Sequence, residues 1–170
     1  IFNNHIVPKL NGNDVKFFYD VNSESRRAIQ QSNARLPDAF EIGDFETTST
    51  ISWALEKCSE NKKARFCAEM ARNGNLEFLQ FLRVKGCHWN ERTCAYAAQN
   101  GHLECLKYAR ENGCPWDERT CFRAAEGGHL ECLKYAHEKG CPWDKDTCMS
   151  AALNVHLECL KYAHENGCPG

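Results

Sequence analysis

The sequence lacks several features that would assign it to a common functional class. Lysine and arginine total 21 against 23 aspartates and glutamates, so no basic excess is present to attract nucleic acid or an anionic membrane. No apolar run approaches the length of a membrane-spanning helix, and the mean hydropathy is −0.61. A glycine-rich phosphate loop, a nucleophile elbow and paired carboxylates are also missing. We therefore expect a non-enzymatic protein with no nucleic-acid or membrane partner.

No signal peptide is visible at the N-terminus. The chain opens on Ile1 rather than methionine and stops within a repeat at Gly170. We therefore expect both ends to be truncated, which leaves room for a targeting segment upstream and for further repeats.

One segment of nine residues recurs at a fixed interval. Residues 101–109 read GHLECLKYA, and the same letters return at 128–136 and, with one change, at 155–163. A more divergent copy, GNLEFLQFL, lies at 74–82, so the interval is 27 residues each time. A fixed period between about 20 and 50 residues is typical of stacked repeats. The sequence therefore predicts a solenoid.

Residues 117–143 form one unit, in which two helices are predicted. Asp117 can cap the first helix, which carries a stripe of small residues that allows close approach to a neighbouring helix. The glycines at 127–128 mark a turn, and the second helix is predicted from about 129–139. Gly140 is then placed as the C′ glycine that ends it. The small residues are Cys121, Ala124 and Ala125.

Three units end in a tryptophan, at positions 89, 116 and 143. A large apolar side chain that recurs with the period is expected to fill the seam between layers rather than to stack on a ligand. On that placement Trp116→Ala is predicted to cost about 3–5 kcal/mol, the usual range for a buried aromatic residue.

Eleven of the 12 cysteines fall into three columns, and only Cys58 stands outside them. Equivalent residues of successive layers lie about 8–10 Å apart, too far for a disulfide. We therefore interpret them as small buried residues of a protein in a reducing compartment, intracellular and either cytoplasmic or nuclear. The alternative is a thiol- or metal-based sensor. The columns are Cys67, Cys94, Cys121 and Cys148; Cys87, Cys114, Cys141 and Cys168; and Cys105, Cys132 and Cys159.

Histidines recur at positions 102, 129 and 156, in the turn between the two helices, where a ring N–H can bind backbone. His137 with Cys141, and His164 with Cys168, have spacings that zinc could use, but no Cys-x-x-Cys pair accompanies them. No metal site and no cofactor are predicted.

Residues 93–98 read Thr-Cys-Ala-Tyr-Ala-Ala, and residues 100–109 read Asn-Gly-His-Leu-Glu-Cys-Leu-Lys-Tyr-Ala. This unit resembles the ankyrin repeat, which opens with Thr-Pro-Leu-His-x-Ala-Ala and continues with Asn-Gly-His-Leu-Glu-Val-Val-Lys-Leu-Leu. The resemblance covers residues 64–170. It implies an all-α solenoid of stacked helix-turn-helix units, which we place at 47–170 with a degenerate first layer near 51–58.

The unit is shorter than that of the family. Ankyrin units usually have 33 residues, and most of the six that are missing here fall where the family carries a β-hairpin finger. We therefore expect helix pairs joined by tight turns.

Positions that differ between repeats are free of the constraint that stacking imposes. They lie at i, i+3, i+4 and i+7 of the first helix, a surface that we call the first-helix face. In ankyrin-like arrays this face lines the concave surface that binds partners, and aromatic residues and methionine are enriched at interfaces. We therefore predict a protein-interaction scaffold, the alternative being a solvated face. The predicted partner-binding residues, with Tyr96, Phe122, Met149 and Leu153 expected to be exposed, are Arg92, Tyr96, Gln99, Arg119, Phe122, Arg123, Glu126, Met149 and Leu153.

Residues 1–46 lack the period and are predicted to form two short helices. They resemble the latter part of an F-box, although the opening Leu-Pro is absent and Arg26 replaces the customary tryptophan. This resemblance implies a substrate receptor that joins a cullin ubiquitin ligase through an adaptor subunit. The alternative is a helical cap over the end of the array. The matching residues are Asp14, Val15, Phe18, Val21, Arg26, Arg27 and Ile29, with Ile6 and Leu10 in the preceding helix.

Overall fold

The computed structural model describes residues 59–169, which form eight α-helices in four successive pairs. We call each pair a layer, so that layer 1 holds α1 and α2 and layer 4 holds α7 and α8. Residues 59–169 contain no β-strand, which confirms the prediction of helix pairs without hairpin fingers. The F-box-like segment and the degenerate layer near 51–58 lie outside the described residues. The helices are α1 Glu60–Arg72, α2 Leu76–Val84, α3 Glu91–Gln99, α4 Leu103–Glu111, α5 Glu118–Glu126, α6 Leu130–Glu138, α7 Lys145–Leu153 and α8 Leu157–Glu165.

The first helices of layers 2 to 4 begin at a side-chain cap. Asn90, Asp117 and Asp144 each have an extended backbone, and each side chain accepts a hydrogen bond from the backbone N–H two residues later. For Asp117 this bond, from the N–H of Arg119, is 3.2 Å long. Such a cap satisfies one of the N–H groups that the first turn leaves unpaired. The predicted role of Asp117 is therefore confirmed.

The second helix of layer 3 ends at a left-handed glycine. Gly140 has φ +79°. Its N–H donates to the carbonyl of His137 at 2.9 Å, and the N–H of Cys141 donates to that of Ala136 at 2.9 Å. These bonds satisfy carbonyls that the last turn leaves free. The prediction for Gly140 is confirmed, and α6 lies within one residue of the predicted bounds at each end.

The layers stack helix on like helix. First helices pack against the first helices of adjacent layers, and second helices pack against second helices. Small residues form the first of these contacts: Cys94, Ala97 and Ala98 of α3 are fully buried. Because short side chains let helix axes approach closely, the core runs through the stack without interruption.

The tryptophans lie in the seams between second helices, as predicted. The Trp116 ring centroid lies 6.4 Å from that of Tyr135 in layer 3, and the guanidinium of Arg110 in layer 2 lies 4.3 Å from the Trp116 ring. The expectation of full burial is wrong, because Trp116 is half-buried. It belongs to the loop after α4, where an arginine side chain rather than a helix covers the ring.

The turns inside layers 1 to 3 each receive a histidine of the next layer. A Cβ atom on Gly128 would lie 2.5 Å from Nδ1 of His156, so only glycine leaves room for the ring. His156 Nε2–H donates to the carbonyl oxygen of Glu126 at 3.0 Å, which confirms that the ring binds backbone. Gly74 and Gly101 face His102 and His129 in the same way.

Candidate functional site

The nine predicted partner-binding residues lie on the adjacent first helices of layers 2, 3 and 4, and none of them is buried. Four are exposed, with Met149 and Leu153 at 53% and 78%. Tyr96 and Phe122 are half-buried, which corrects the expectation that they are exposed. The guanidinium of Arg72 lies 5.8 Å from the Tyr96 ring, and that of Arg123 lies 5.5 Å from the Phe122 ring.

Three other variable positions are not part of an exposed surface. Ala68, Ala95 and Ser150 are buried, at 2%, 5% and 5% exposure. They occupy the i+3 or i+4 position of the first helix, where a short side chain lies at the contact with the adjacent first helix. The inference that every variable position is free of stacking is therefore wrong for these three.

A hydrogen-bonded network joins layers 2 and 3 on the first-helix face. The amide Nε2 of Gln99 donates to Oε2 of Glu126 at 2.8 Å, and Arg123 donates to the same oxygen at 2.7 Å. Arg123 and Glu126 are only 36% and 30% exposed, so water screens this pair less than an open surface pair. Three of the predicted residues thus form one preorganised polar group.

Arg119 is held by two carboxylates. It donates through Nε and one terminal nitrogen to Oδ2 of Asp117, at 2.9 and 2.6 Å, and the same terminal nitrogen lies 3.2 Å from Oε1 of Glu91. The hydrogen bond to Asp117 is the main cause of the raised pKa of Arg119. Arg92 occupies the equivalent position of layer 2, but Asn90 stands there in place of the aspartate.

A cleft of about 240 Å³ opens on the first-helix face between α1 and α3. Its charged residues are Arg65 and Glu69 from layer 1 and Arg92 from layer 2, and Tyr96 lines it as well. The predicted site did not include Arg65 and Glu69, although both occupy variable positions of the repeat. Their position in the repeat was the available signal, since each lies one period before Arg92 and Tyr96.

A second surface that sequence reasoning missed lies at the end of layer 4. Leu157 is 66% exposed, and with Cys148, Leu160 and Cys168 it lines an open apolar groove of about 740 Å³. The equivalent leucine of layer 3, Leu130, is partly buried against the core. The difference arises because a following layer covers Leu130, whereas no described residue covers Leu157.

One cysteine in each of layers 2 to 4 is a structural donor. The thiols of Cys114, Cys141 and Cys168 donate to the carbonyls of the three N-cap residues, Asn90, Asp117 and Asp144, at 3.2–3.3 Å. All cysteines of the described part are thiols that form no disulfide, and all are buried except Cys148.

The buried thiols are also poor nucleophiles. Burial raises the pKa of Cys105 to about 11 and that of Cys132 to about 12. Because the thiolate is the reactive form, this burial disfavours a thiol sensor. Between residues 59 and 169 no three His, Cys, Asp or Glu side chains are grouped so that they could hold a metal ion.

Comparison with known proteins gives one family. Residues 66–143 match the model of ankyrin repeats (3 copies), whereas no curated protein matches the chain. Ankyrin repeats are in general modules for protein–protein interaction and are typically non-enzymatic. None of the helices described between residues 59 and 169 has the length and apolar character that crossing a bilayer requires. The segment 66–143, with its stacked helix pairs, capped starts and glycine turns, is thus similar to ankyrin repeats.

Proposed function

We propose that the array is a non-enzymatic scaffold that binds a protein partner through the first-helix face. The observation that carries this proposal is the exposure of Met149 and Leu153, which lie outside the buried core and do not pack against it. Phe122, one layer earlier, extends this apolar surface with a half-buried ring. Exposed apolar side chains that are contiguous and rimmed by polar groups are typical of protein-binding sites.

The polar part of the face supports the same proposal. Gln99, Arg123 and Glu126 already hold one another across two layers, so a partner would not have to order them. Preorganised side chains reduce the entropy that binding costs. The face therefore combines an apolar area with fixed hydrogen-bonding groups.

The test is a pull-down from cell lysate with mass spectrometry, using the full chain and the triple variant Tyr96→Ala, Phe122→Ala and Met149→Ala. Val84 supplies the matched control, because it is 83% exposed on α2, away from the first-helix face. We expect a partner that the wild type and Val84→Ala both recover and that the triple variant loses. Recovery of the same partners by all three proteins would contradict the proposal.

Stability must be measured beside binding, since Tyr96 and Phe122 are half-buried. We expect the triple variant to keep its helical circular dichroism and to melt within a few degrees of the wild type. A collapse of the melting temperature would instead place these side chains in the core and remove them from the site.

A second candidate gives the scaffold a specific role. The F-box-like pattern at residues 1–46 favours a substrate receptor of a cullin ubiquitin ligase, in which the repeats select the substrate. The same pull-down, repeated with a chain that lacks residues 1–46, tests it. Recovery of the ligase adaptor and cullin by the longer chain alone is the expected result, whereas equal recovery of one unrelated partner by both chains would favour the helical cap.

A further inference from the structure

The first-helix face changes its chemistry along the array. In layers 1 and 2 its exposed members are Arg65, Arg72 and Arg92, whereas in layer 4 they are Asp146, Met149 and Leu153. The face is therefore basic at one end and mainly apolar at the other. A partner that binds the first-helix face must therefore also differ in chemistry between its two ends.

Arg92 lacks the carboxylate partners of the equivalent arginine in layer 3. Its counterpart Arg119 contacts the carboxylates of Asp117 and Glu91. Arg92 instead follows the neutral cap Asn90, whose side chain accepts from the Arg92 backbone N–H. Within residues 59–169 its guanidinium makes no ion pair. The same residue type at the same repeat position is thus neutralised in layer 3 and open in layer 2.

The surroundings of Arg92 suit a carboxylate. Arg92 lines the cleft between α1 and α3 together with a second guanidinium, the phenol of Tyr96 and the amide of Asn61. The carboxylate in this cleft, that of Glu69, lies 3.7 Å from a terminal nitrogen of Arg72. Guanidinium groups bind carboxylates in a bidentate, charge-assisted manner.

We propose, on the basis of the function proposed above, that the partner presents an extended segment with an acidic side chain for this cleft and an apolar side chain for Met149 and Leu153. We infer an acidic side chain because its charge is opposite to that of the arginines that line the cleft. The two ends of the site are two layers apart, about 16–20 Å at usual helix-packing distances. An extended chain spans that distance in about five to six residues at ~3.3 Å each.

The experiment is selection of a phage-displayed library of random 12-residue peptides on the full chain. We expect the enriched peptides to carry Asp or Glu about five to six positions from an aliphatic or aromatic residue. The strongest peptide is then titrated by fluorescence polarisation against Arg92→Ala, Lys139→Ala and the double variant Met149→Ala, Leu153→Ala.

Lys139→Ala is the matched control, since it removes one exposed positive charge at the C-terminal end of α6, away from the first-helix face. We expect Arg92→Ala to weaken binding about tenfold or more, as for loss of a charge-assisted hydrogen bond, and Lys139→Ala to change it less than about twofold. Arg92→Glu should prefer the peptide in which the acidic residue is replaced by lysine.

The outcomes separate this inference from the proposed function. Peptides that need Met149 and Leu153 but carry no acidic residue, or that lose equal affinity in Arg92→Ala and Lys139→Ala, overturn the acidic-cleft proposal and leave the scaffold proposal intact. Some peptides could bind the Met149→Ala, Leu153→Ala double variant and the Tyr96→Ala, Phe122→Ala, Met149→Ala triple variant as tightly as they bind the wild type. Such peptides contradict both the acidic-cleft proposal and the proposed function. A library that enriches no peptide on the full chain also contradicts both.

Discussion

Gly128 in layer 3 and Val155 in layer 4 occupy the same place in units of nearly identical sequence. Both are left-handed, with φ of +73° and 60°. The space beside Gly128 holds the imidazole of His156, whereas the Val155 side chain is 72% exposed. One substitution therefore places a side chain in the turn of layer 4 where the turn of layer 3 leaves room for a histidine.

This difference shows that glycine has two functions in the repeat. It adopts a left-handed conformation that costs a residue with a Cβ about 1–2 kcal/mol, and it leaves room for the histidine that bonds to the preceding layer. Val155 adopts the strained left-handed conformation, and its side chain occupies the space that glycine leaves open in the other layers. A further layer could not place a histidine against Val155 in the same manner, so layer 4 presents a different stacking surface from layers 1 to 3.

The largest expected effect is that of Gly128→Val, which makes layer 3 resemble layer 4. The left-handed valine costs about 1–2 kcal/mol and overpacking against His156 costs about 1–3 kcal/mol. We therefore expect the free energy of unfolding to fall by about 3 kcal/mol, as measured by urea denaturation.

The control is the same change in a His156→Ala background, which removes the ring. The cost of the valine should then drop to the left-handed strain alone. If the two changes prove additive, the ring does not fill the space that the glycine leaves.

Trp116→Ala should have the next largest effect, because it opens the seam between layers 2 and 3. A half-buried indole loses less than a buried one, so we expect about 2 kcal/mol rather than the 3–5 kcal/mol of full burial. Trp143, which lies 3.8 Å from His137 and 6.2 Å from Tyr162 between ring centroids, fills the seam to layer 4. We expect equilibrium unfolding to show a similar loss of unfolding free energy for Trp143→Ala. A melting temperature of Trp116→Ala equal to that of the wild type would contradict the role of Trp116 in the seam.

Much of the fold could be predicted from the sequence because it depends on local chemistry. Asp117 starts a helix through its own side chain, and Gly140 ends one through its own backbone. The 27-residue period then places these local features in register. No contact between distant residues is needed to derive the helix pairs.

The site was less predictable, because its details depend on distances between layers. Gln99 and Arg123 donate to the same carboxylate oxygen of Glu126. This arrangement depends on the spacing of α3 and α5, which the period does not reveal. The burial of Ala95 and Ser150 likewise depends on how closely first helices approach. Val155 is visible in the sequence as a β-branched residue where the other units have glycine. Its structural consequence could not be predicted without the position of the histidine ring.

Val155→Gly should have a smaller effect, and a stabilising one. It removes the left-handed strain of a β-branched residue, while glycine adds entropy to the unfolded chain. We expect a net gain of about 1 kcal/mol or less, seen as a rise of a few degrees in the melting temperature. Val155→Asn should gain less, since asparagine tolerates this conformation better than valine does but less well than glycine. A lower melting temperature for Val155→Gly would show that the valine stabilises layer 4.

The smallest expected effect concerns the histidines that the glycines accommodate. Burial lowers the pKa of His129, the neighbouring His102 and His156 lower it further, and its hydrogen bond to the backbone of Gln99 opposes the shift. The unfolded value is about 6.5, so the unfolded chain binds the proton more readily. The contribution of His129 is therefore present above about pH 6.5 and is lost as the pH falls through the folded pKa. Between about pH 7.5 and 5 the urea midpoint should fall less in His129→Gln than in the wild type, because glutamine retains an N–H donor but has no titrating ring. If the urea midpoint changes equally with pH in the two proteins, His129 does not contribute to the pH dependence of stability.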